Sequence, residues 1–274
     1  MLNLFYIHLK EMKDRILNLI KILYRRIIFE IKKNKYCPVC NSKTHFFIIP
    51  IELLKMWQKY GFVYSIFDFE TLNVIEYSCA KCCASDRDRL YALYFIKNFK
   101  RDLDLKVLDI GYSEVFKKFI IKNYPNIYYD TLDKFNNDAK YKLDVEDMNE
   151  LKDETYDFVI CSHVLEHVVN PEKAVKEIYR VLKKKGQAII MVPILLSIKN
   201  TIENPSYNTE ELRWKYYGQG DHLRIYSKND FLKLLYSVGF KVNELGVNYF
   251  GRDTFNKSGI TQKSVLYLCK KNNL

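Results

Sequence analysis

Four of the seven cysteines stand in two C-x-x-C pairs, Cys37-Pro38-Val39-Cys40 and Cys79-Ala80-Lys81-Cys82, separated by 38 residues. Two such turns can set four thiolates at the corners of a tetrahedron, which suits Zn²⁺ because its filled d shell imposes no other geometry. Four protein ligands close a site, so the expected role is structural. The aromatic and β-branched stretches between the pairs, HFFIIP and FVYSIFDFETLNVIEYS, read as strands of a zinc ribbon. Cys83 offers a competing thiol, and four unrelated buried cysteines are the bland alternative, which explains the paired spacing less well.

A second constellation is acidic. Residues 107–110 are an apolar run that ends at Gly111, and residues 115–122 carry helical periodicity, so GYSE joins a strand to a helix. A glycine in that turn lets the backbone approach a ligand held at the helix N-terminus. The next expected strand, 127–132, ends at Asp133, 22 residues beyond Gly111, where an acidic residue meets a ribose diol in dinucleotide-type folds. A third expected strand, 141–143, ends at Asp144, placed to accept from an exocyclic adenine amine. A fourth, 157–161, enters the turn SHVLEHV. Asn170 and Pro171 then start a helix that Gly186 is expected to stop.

That turn carries a competing pattern. His163-Val164-Leu165-Glu166-His167 satisfies H-x-x-E-H, the inverted zinc-peptidase motif, which requires a long helix to bring both histidines to one metal. Further on, residues 193–226 leave the sheet before Ser227 and Asp230 start another helix with a capping-box pattern. An insertion there lies over the carboxyl ends of the strands and reads as a substrate lid. Its Asp221, His222, Arg224 and Tyr226 offer a base, a cation and a phenol, and His222 is the expected proton acceptor, with His163 as the second candidate.

These segments, VLDIGYSEVF, TLDK, KLDVEDM and above all YDFVICSHVLEHVVNPEKAVKEIYRVLKKKGQAIIMVP, resemble class I S-adenosylmethionine-dependent methyltransferases of the methyltransferase-11-like type over roughly residues 100–270. The chain is also similar to a subgroup with two C-x-x-C pairs, the second followed by R-x-R, and a later GQGDHLRIYSKNDF; its members look like modifiers of surface glycans and related metabolites. The resemblance implies that Asp109 and Gly111 form the first cofactor motif, that Asp133 holds the ribose, that Asp144, Val145 and Met148 frame the adenine, and that Ser162 and His163 face the methionine part. The usual glycine-rich D-x-G-x-G is here Asp109-Ile110-Gly111-Tyr112-Ser113, a departure at the methionyl pocket.

The elements that must position these residues fall in three blocks: a basic amphipathic helix over 1–35, a zinc-ribbon-like module over 36–88, and a class I methyltransferase domain over 89–274. The expected fold is α/β, a doubly wound Rossmann-like sheet preceded by the ribbon and the helix. At 274 residues, 48% hydrophobic and 15% aromatic, the chain can bury one large core plus a small accessory unit. Of its net charge of +11, residues 1–35 supply more than half, with nine basic and three acidic residues. The remainder is only modestly basic, which disfavours nucleic acid as the partner of the core. Leu9, Met12, Ile16, Ile20, Leu23 and Ile27 recur at helical steps, so residues 1–33 can lie on an anionic membrane surface or pack against a partner helix. No signal core or bilayer-length apolar run is present, and a cytoplasmic, in part membrane-associated location is expected. The expected cofactors are S-adenosylmethionine and a structural zinc. The expected reaction is O-methylation of a small-molecule or glycan-type acceptor. Its competitors are an RNA methyltransferase gripping through ribbon and helix, a non-catalytic binding protein of the same fold, and the zinc peptidase.

Overall fold

The computed structural model describes residues 35–272. The amphipathic helix expected over residues 1–33 lies outside them. A hairpin of β1 (Lys35–Cys37) and β2 (Ser42–Thr44) carries the first cysteine pair at its turn. Next come β3 (Phe46–Phe47) and α1 (Ile51–Tyr60), and β3 pairs antiparallel with β4 (Ser78–Cys79), which leads into the second cysteine pair. The strands expected between the pairs are therefore largely replaced by α1 and a short 3₁₀ turn over Ile66–Asp68. Leu53, Leu54 and Trp57 share one face at helical steps, and Gly61 ends the helix with φ at +63.

Ser85 starts α2 (Asp86–Asn98) with a capping box closed by Asp88, and the helix buries Leu90, Tyr91, Tyr94 and Phe95 on the main core. Each of these burials contributes roughly 1.5–3 kcal/mol. The sheet follows: β5 (Leu105–Ile110), α3 (Glu114–Asn123), β6 (Ile127–Leu132), β7 (Tyr156–Ser162), α4 (Pro171–Val181) and β8 (Leu182–Met191). After an insertion holding α5 (Glu210–Tyr217) come α6 (Lys228–Ser237), β9 (Phe240–Leu245), α7 (Val247–Phe250), α8 (Arg252–Lys257) and β10 (Leu266–Lys271). The strand order is β6-β5-β7-β8-β10-β9, with β10 antiparallel to both of its neighbours and the other pairings parallel. This is a mixed α/β sheet with its ligand-facing loops at the carboxyl ends of the parallel strands.

Two local expectations are corrected. The segment 141–143 makes one bridge, Leu132 to Tyr141, instead of a strand. Asx turns at Asp133, Asn136 and Asp144, whose side chains accept from N–H groups two residues on, take up the backbone on both sides of it. Gly186 does not stop α4; the helix ends where Leu182 turns extended, and Gly186 lies inside β8 beside a register shift against β7. A Cβ there would sit 2.8 Å from the Lys183 carbonyl oxygen.

Arg89 joins the cysteine module to the sheet domain. It is fully buried, and its N–H groups donate to the carbonyls of Ser258, Tyr77, Ala84, Glu76 and Gly259 at 2.6–3.1 Å. The Phe46 ring covers one guanidinium face at 3.9 Å. Replacing Arg89 with Met strands several buried carbonyls, so Arg89→Met should lower unfolding free energy by about 3 kcal/mol or more, read as a drop in denaturant midpoint. An unchanged midpoint would show that water replaces these bonds without cost.

Candidate functional site

Strand β5 carries Asp109 and Gly111 to the ligand-facing edge. Gly111 has φ at +66, and a Cβ there would lie 2.6 Å from Cγ2 of Val164, so both backbone and space require glycine. The departure at Tyr112 and Ser113 leaves the turn intact, because Ser113 serves as N-cap of α3 and accepts from the Phe116 N–H. Asp133 follows β6. Its Oδ1 accepts from the N–H groups of Phe135 and Asn136 at 2.7 and 2.8 Å, and among the described residues only that oxygen is engaged. Asp144 is ion-paired with Lys134 at 2.8 Å; burial opposes its charge, but Lys134 and the Glu146 N–H hold the carboxyl below its ordinary range.

Asp133, Asp144 and Val145 line a cavity of about 480 Å³ with Gly111 and Val164. Met148 does not line it: the residue is fully buried, with its N–H donating to Glu177 at 2.8 Å. On the other side of Gly111 lies a second cavity of about 360 Å³, lined by Asp109, Ser162, Tyr91, Asp88 and Arg87. Ser162 Oγ and the Tyr91 hydroxyl are 2.6 Å apart. Burial pushes the Asp109 carboxyl up to about 7, with Asp88 adding to the rise while the Tyr129 hydroxyl and Lys117 oppose it.

A third cavity, about 80 Å³, lies between the cysteine module and the insertion, walled by Trp57, Phe69, Ile194, Tyr217, Arg87 and His222. The Trp57 indole donates to the Gly218 carbonyl at 2.7 Å, so α1 and α5 close this wall together. His163 borders all three cavities. It is a non-glycine residue with φ at +56, a strained conformation held by its N–H bond to the Met191 carbonyl. Burial, reinforced by Arg87, lowers its imidazole to about 4, so it is neutral near pH 7 with a lone pair available.

The SHVLEHV turn is not helical, which removes the geometry on which the peptidase reading depends. The residues that converge here are instead Glu166, His167 and His222. Glu166 is fully buried; burial opposes its charge, yet His163, His222 and His167 bring its carboxyl down to about 2. His222, on the segment 193–226, is buried as well. Arg224 and Tyr226 line none of the three cavities. Arg224 is spent on Glu203 at 2.8 Å and on the carbonyls of Leu165, Val168 and Val169, and the Tyr226 hydroxyl donates to the Leu165 carbonyl, so both hold the turn in shape. Asp221 lies 3.3 Å from Nδ1 of His167. Sequence reasoning gave no site role to Arg87, Tyr91 or Trp57, and met Glu166 only within the peptidase pattern. Only the DRDR run hinted at one of them, since nothing local tells which side chains of α1 and α2 face a cavity.

The four paired cysteines converge. Sγ atoms of Cys37 and Cys82 are 3.7 Å apart, those of Cys40 and Cys79 are 3.9 Å apart, and all four lie within 4.8 Å of one another. Zinc–sulfur bonds of about 2.3 Å in a tetrahedron imply edges of about 3.8 Å. Contact with Cys79 pushes the Cys37 thiol up to about 12, while bonds from Cys37 and Cys82 pull Cys79 well below its ordinary value. Crowded sulfurs of this kind ionise together only around a cation. Cys83 is exposed and outside the cluster.

Residues 82–245 match the family described as Methyltransferase domain. Two uncharacterized proteins of Methanocaldococcus jannaschii are similar: MJ0638, 38% identical over 103 residues (35% of this chain, 44% of that one), and MJ1123, 31% identical over 90 residues (33% and 40%). The chain thus spans less than half the length of these curated relatives. Among solved structures, the YcgJ protein from Bacillus subtilis superposes with a TM-score of 0.45 at 14% identity, over 68% of this chain and 100% of that one. A SAM dependent methyltransferase from Archaeoglobus fulgidus gives 0.42 at 18%, over 68% and 91%.

Asp109 makes stability depend on pH. Its folded value near 7 exceeds the unfolded value near 4, so the contribution is intact below about 4 and is lost as pH rises toward 7, where the unfolded chain has released the proton and the folded chain still holds it. Denaturant titrations should therefore show stability falling by a few kcal/mol across that window for this group. Asp109→Asn should flatten the fall; an unaltered pH profile would assign it to other groups.

Proposed function

From the premise that this chain belongs to the Methyltransferase domain family, as an S-adenosylmethionine-dependent methyltransferase, we propose that it methylates a hydroxyl of a small-molecule or glycan-type acceptor, with His163 as proton acceptor and a structural zinc in the cysteine cluster. The observation that carries this reading is the position of His163 where all three cavities meet. The protein's own residues suit the cofactor: Gly111 leaves a cradle that a Cβ would fill, and Asp133 has a carboxylate oxygen to offer a ribose diol. Asp144 and Val145 would border the adenine, and Ser162, Tyr91 and Arg87 the methionyl end, where the guanidinium would meet a carboxylate.

S-adenosylmethionine supplies a methyl carbon on a sulfonium: the acceptor oxygen bonds to that carbon while the sulfur keeps the electron pair of the broken bond. What the protein adds is alignment and proton removal. The aromatic cavity of Trp57, Phe69 and Tyr217 holds the acceptor and keeps water from the reacting oxygen. His163 takes the hydroxyl proton on its ring, and this role falls to it over His222 because His222 borders the acceptor cavity alone. These aromatic walls and one cation, Arg87, favour a flat or sugar-like acceptor of neutral or anionic character.

Labelled S-adenosylmethionine offered with a panel of hydroxyl-bearing acceptors, read by mass spectrometry, tests the reading. With an acceptor that reacts, His163→Ala should lower turnover by roughly 10²- to 10⁴-fold at unchanged folding. A change under about threefold would take the proton transfer away from His163. Label on an amine, a thiol or RNA would overturn the hydroxyl assignment.

For the cysteine cluster, the purified chain should keep about one zinc per molecule against a weak chelator. Cys79→Ser should lose it and destabilise the fold, and Cys83→Ser should not. Retention of zinc in Cys79→Ser would mean that the metal sits elsewhere.

A further inference from the structure

Glu166, His167 and His222 form a second cluster of donors, between the cofactor side and the acceptor cavity. Neither oxygen of the fully buried Glu166 has a hydrogen-bond partner, and Nδ1 of the buried His222 has none. His163 Nδ1 approaches Glu166 Oε1 at 3.2 Å without the direction a hydrogen bond needs. One donor atom from each of Glu166, His167 and His222 lies within 4.8 Å of the other two. Buried acceptors left empty cost free energy, and a cation held among these three residues would satisfy all of them at once.

The outer contacts strengthen this. His167 presents Nδ1 to the Asp221 carboxylate at 3.3 Å, which leaves Nε2 toward Glu166, 3.9 Å from its Oε1. His222, which borders the acceptor cavity, keeps its buried Nδ1 without a hydrogen-bond partner. An imidazole that gives one N–H to a carboxylate or a backbone carbonyl and turns its other nitrogen inward is the usual arrangement of a metal-bound histidine. The two rings stand nearly perpendicular, at 84°, with centroids 4.8 Å apart, so their lone pairs can meet at a corner.

We propose that Glu166, His167 and His222 bind one divalent first-row metal ion between the cavity that His167 borders and the acceptor cavity that His222 borders. A carboxylate and two imidazoles suit Mn²⁺, Fe²⁺ or Zn²⁺, and three protein ligands leave room for an exogenous oxygen, unlike the closed cysteine site. Bonds of about 2.1 Å place ligand atoms about 3–4 Å apart, so small side-chain rotations complete the site. The substrate role deepens the methyl-transfer reading and rests on it: the ion takes the acceptor oxygen and lowers its pKa, and His163 receives the proton. The oxygen then forms its bond to the methyl carbon as the sulfur leaves with the electron pair.

The test uses the whole chain, zinc-loaded at its cysteines and titrated with Mn²⁺ under electron paramagnetic resonance. About one Mn²⁺ per chain should bind, with nitrogen modulation from imidazole in the pulsed spectrum. His222→Ala and Glu166→Gln should each weaken binding at least tenfold, and Cys83→Ser should leave it unchanged. Absence of bound Mn²⁺, or bound Mn²⁺ without nitrogen modulation, overturns the site. If a variant melts without cooperativity, the nitrogen modulation in the parent decides alone. Calorimetry with S-adenosylhomocysteine on the parent separates the two readings: cofactor binding without Mn²⁺ binding sinks the metal site only, and Mn²⁺ binding without cofactor binding sinks the methyl-transfer role while the metal site stands.

Discussion

One buried guanidinium holds the two halves of the site together. Arg89 spends its N–H groups on carbonyls from three separated stretches, at Glu76 and Tyr77, at Ala84, and at Ser258 and Gly259. Burial disfavours its charge, and the nearby carboxylates of Asp86 and Asp88 and the thiols of Cys37 and Cys79 compensate in part. Because Arg89 sits on α2, fixing it fixes the residues of the same helix that line the cavity beside Asp109 and Gly111: Arg87 and Asp88 in its first turn, and Tyr91 one turn on. The cysteine knuckles pin the other end of this arrangement, so the accessory module becomes a wall of the site instead of an appended unit.

The sheet supplies what that wall closes against. Parallel strands deliver Asp109, Gly111, Ser162 and His163 to one edge, and the two tight turns there need left-handed backbone. At Gly111 that costs little. At His163 it is a strain of order 1–3 kcal/mol, compensated by the surrounding bonds. The result is an imidazole pushed to the point where three cavities meet. Rigidity extends to the third cavity: Arg224 and Tyr226 bind the carbonyls of Leu165, Val168 and Val169, which ties the turn to the insertion that carries His222.

The electrostatics follow from burial more than from net charge. Asp109 and Glu166 are both out of water, yet their carboxyls move in opposite directions: burial prevails at Asp109, with Asp88 adding to it, while three histidines outweigh burial at Glu166. Such divergence among neighbouring acids marks a site where charge is arranged for chemistry.

The sequence by itself determined the strand–turn–helix alternation, Asp133 at the end of its strand, the caps at Asn170 and Ser227, and the two cysteine pairs, because each rests on contacts within a few residues. Periodicity misread the stretch between the cysteines, where aromatic and β-branched residues hid the helical face of Leu53 and Trp57, and it predicted a strand at 141–143 that flanking Asx turns prevent. Only the tertiary structure decided that His163 lies at the meeting of three cavities, that Arg224 serves carbonyls instead of substrate, that Met148 is core, and that His222 comes beside Glu166 from 56 positions away. Those facts depend on which faces of separate elements meet. Packing settles that through long-range contacts, and no local pattern in the chain records it.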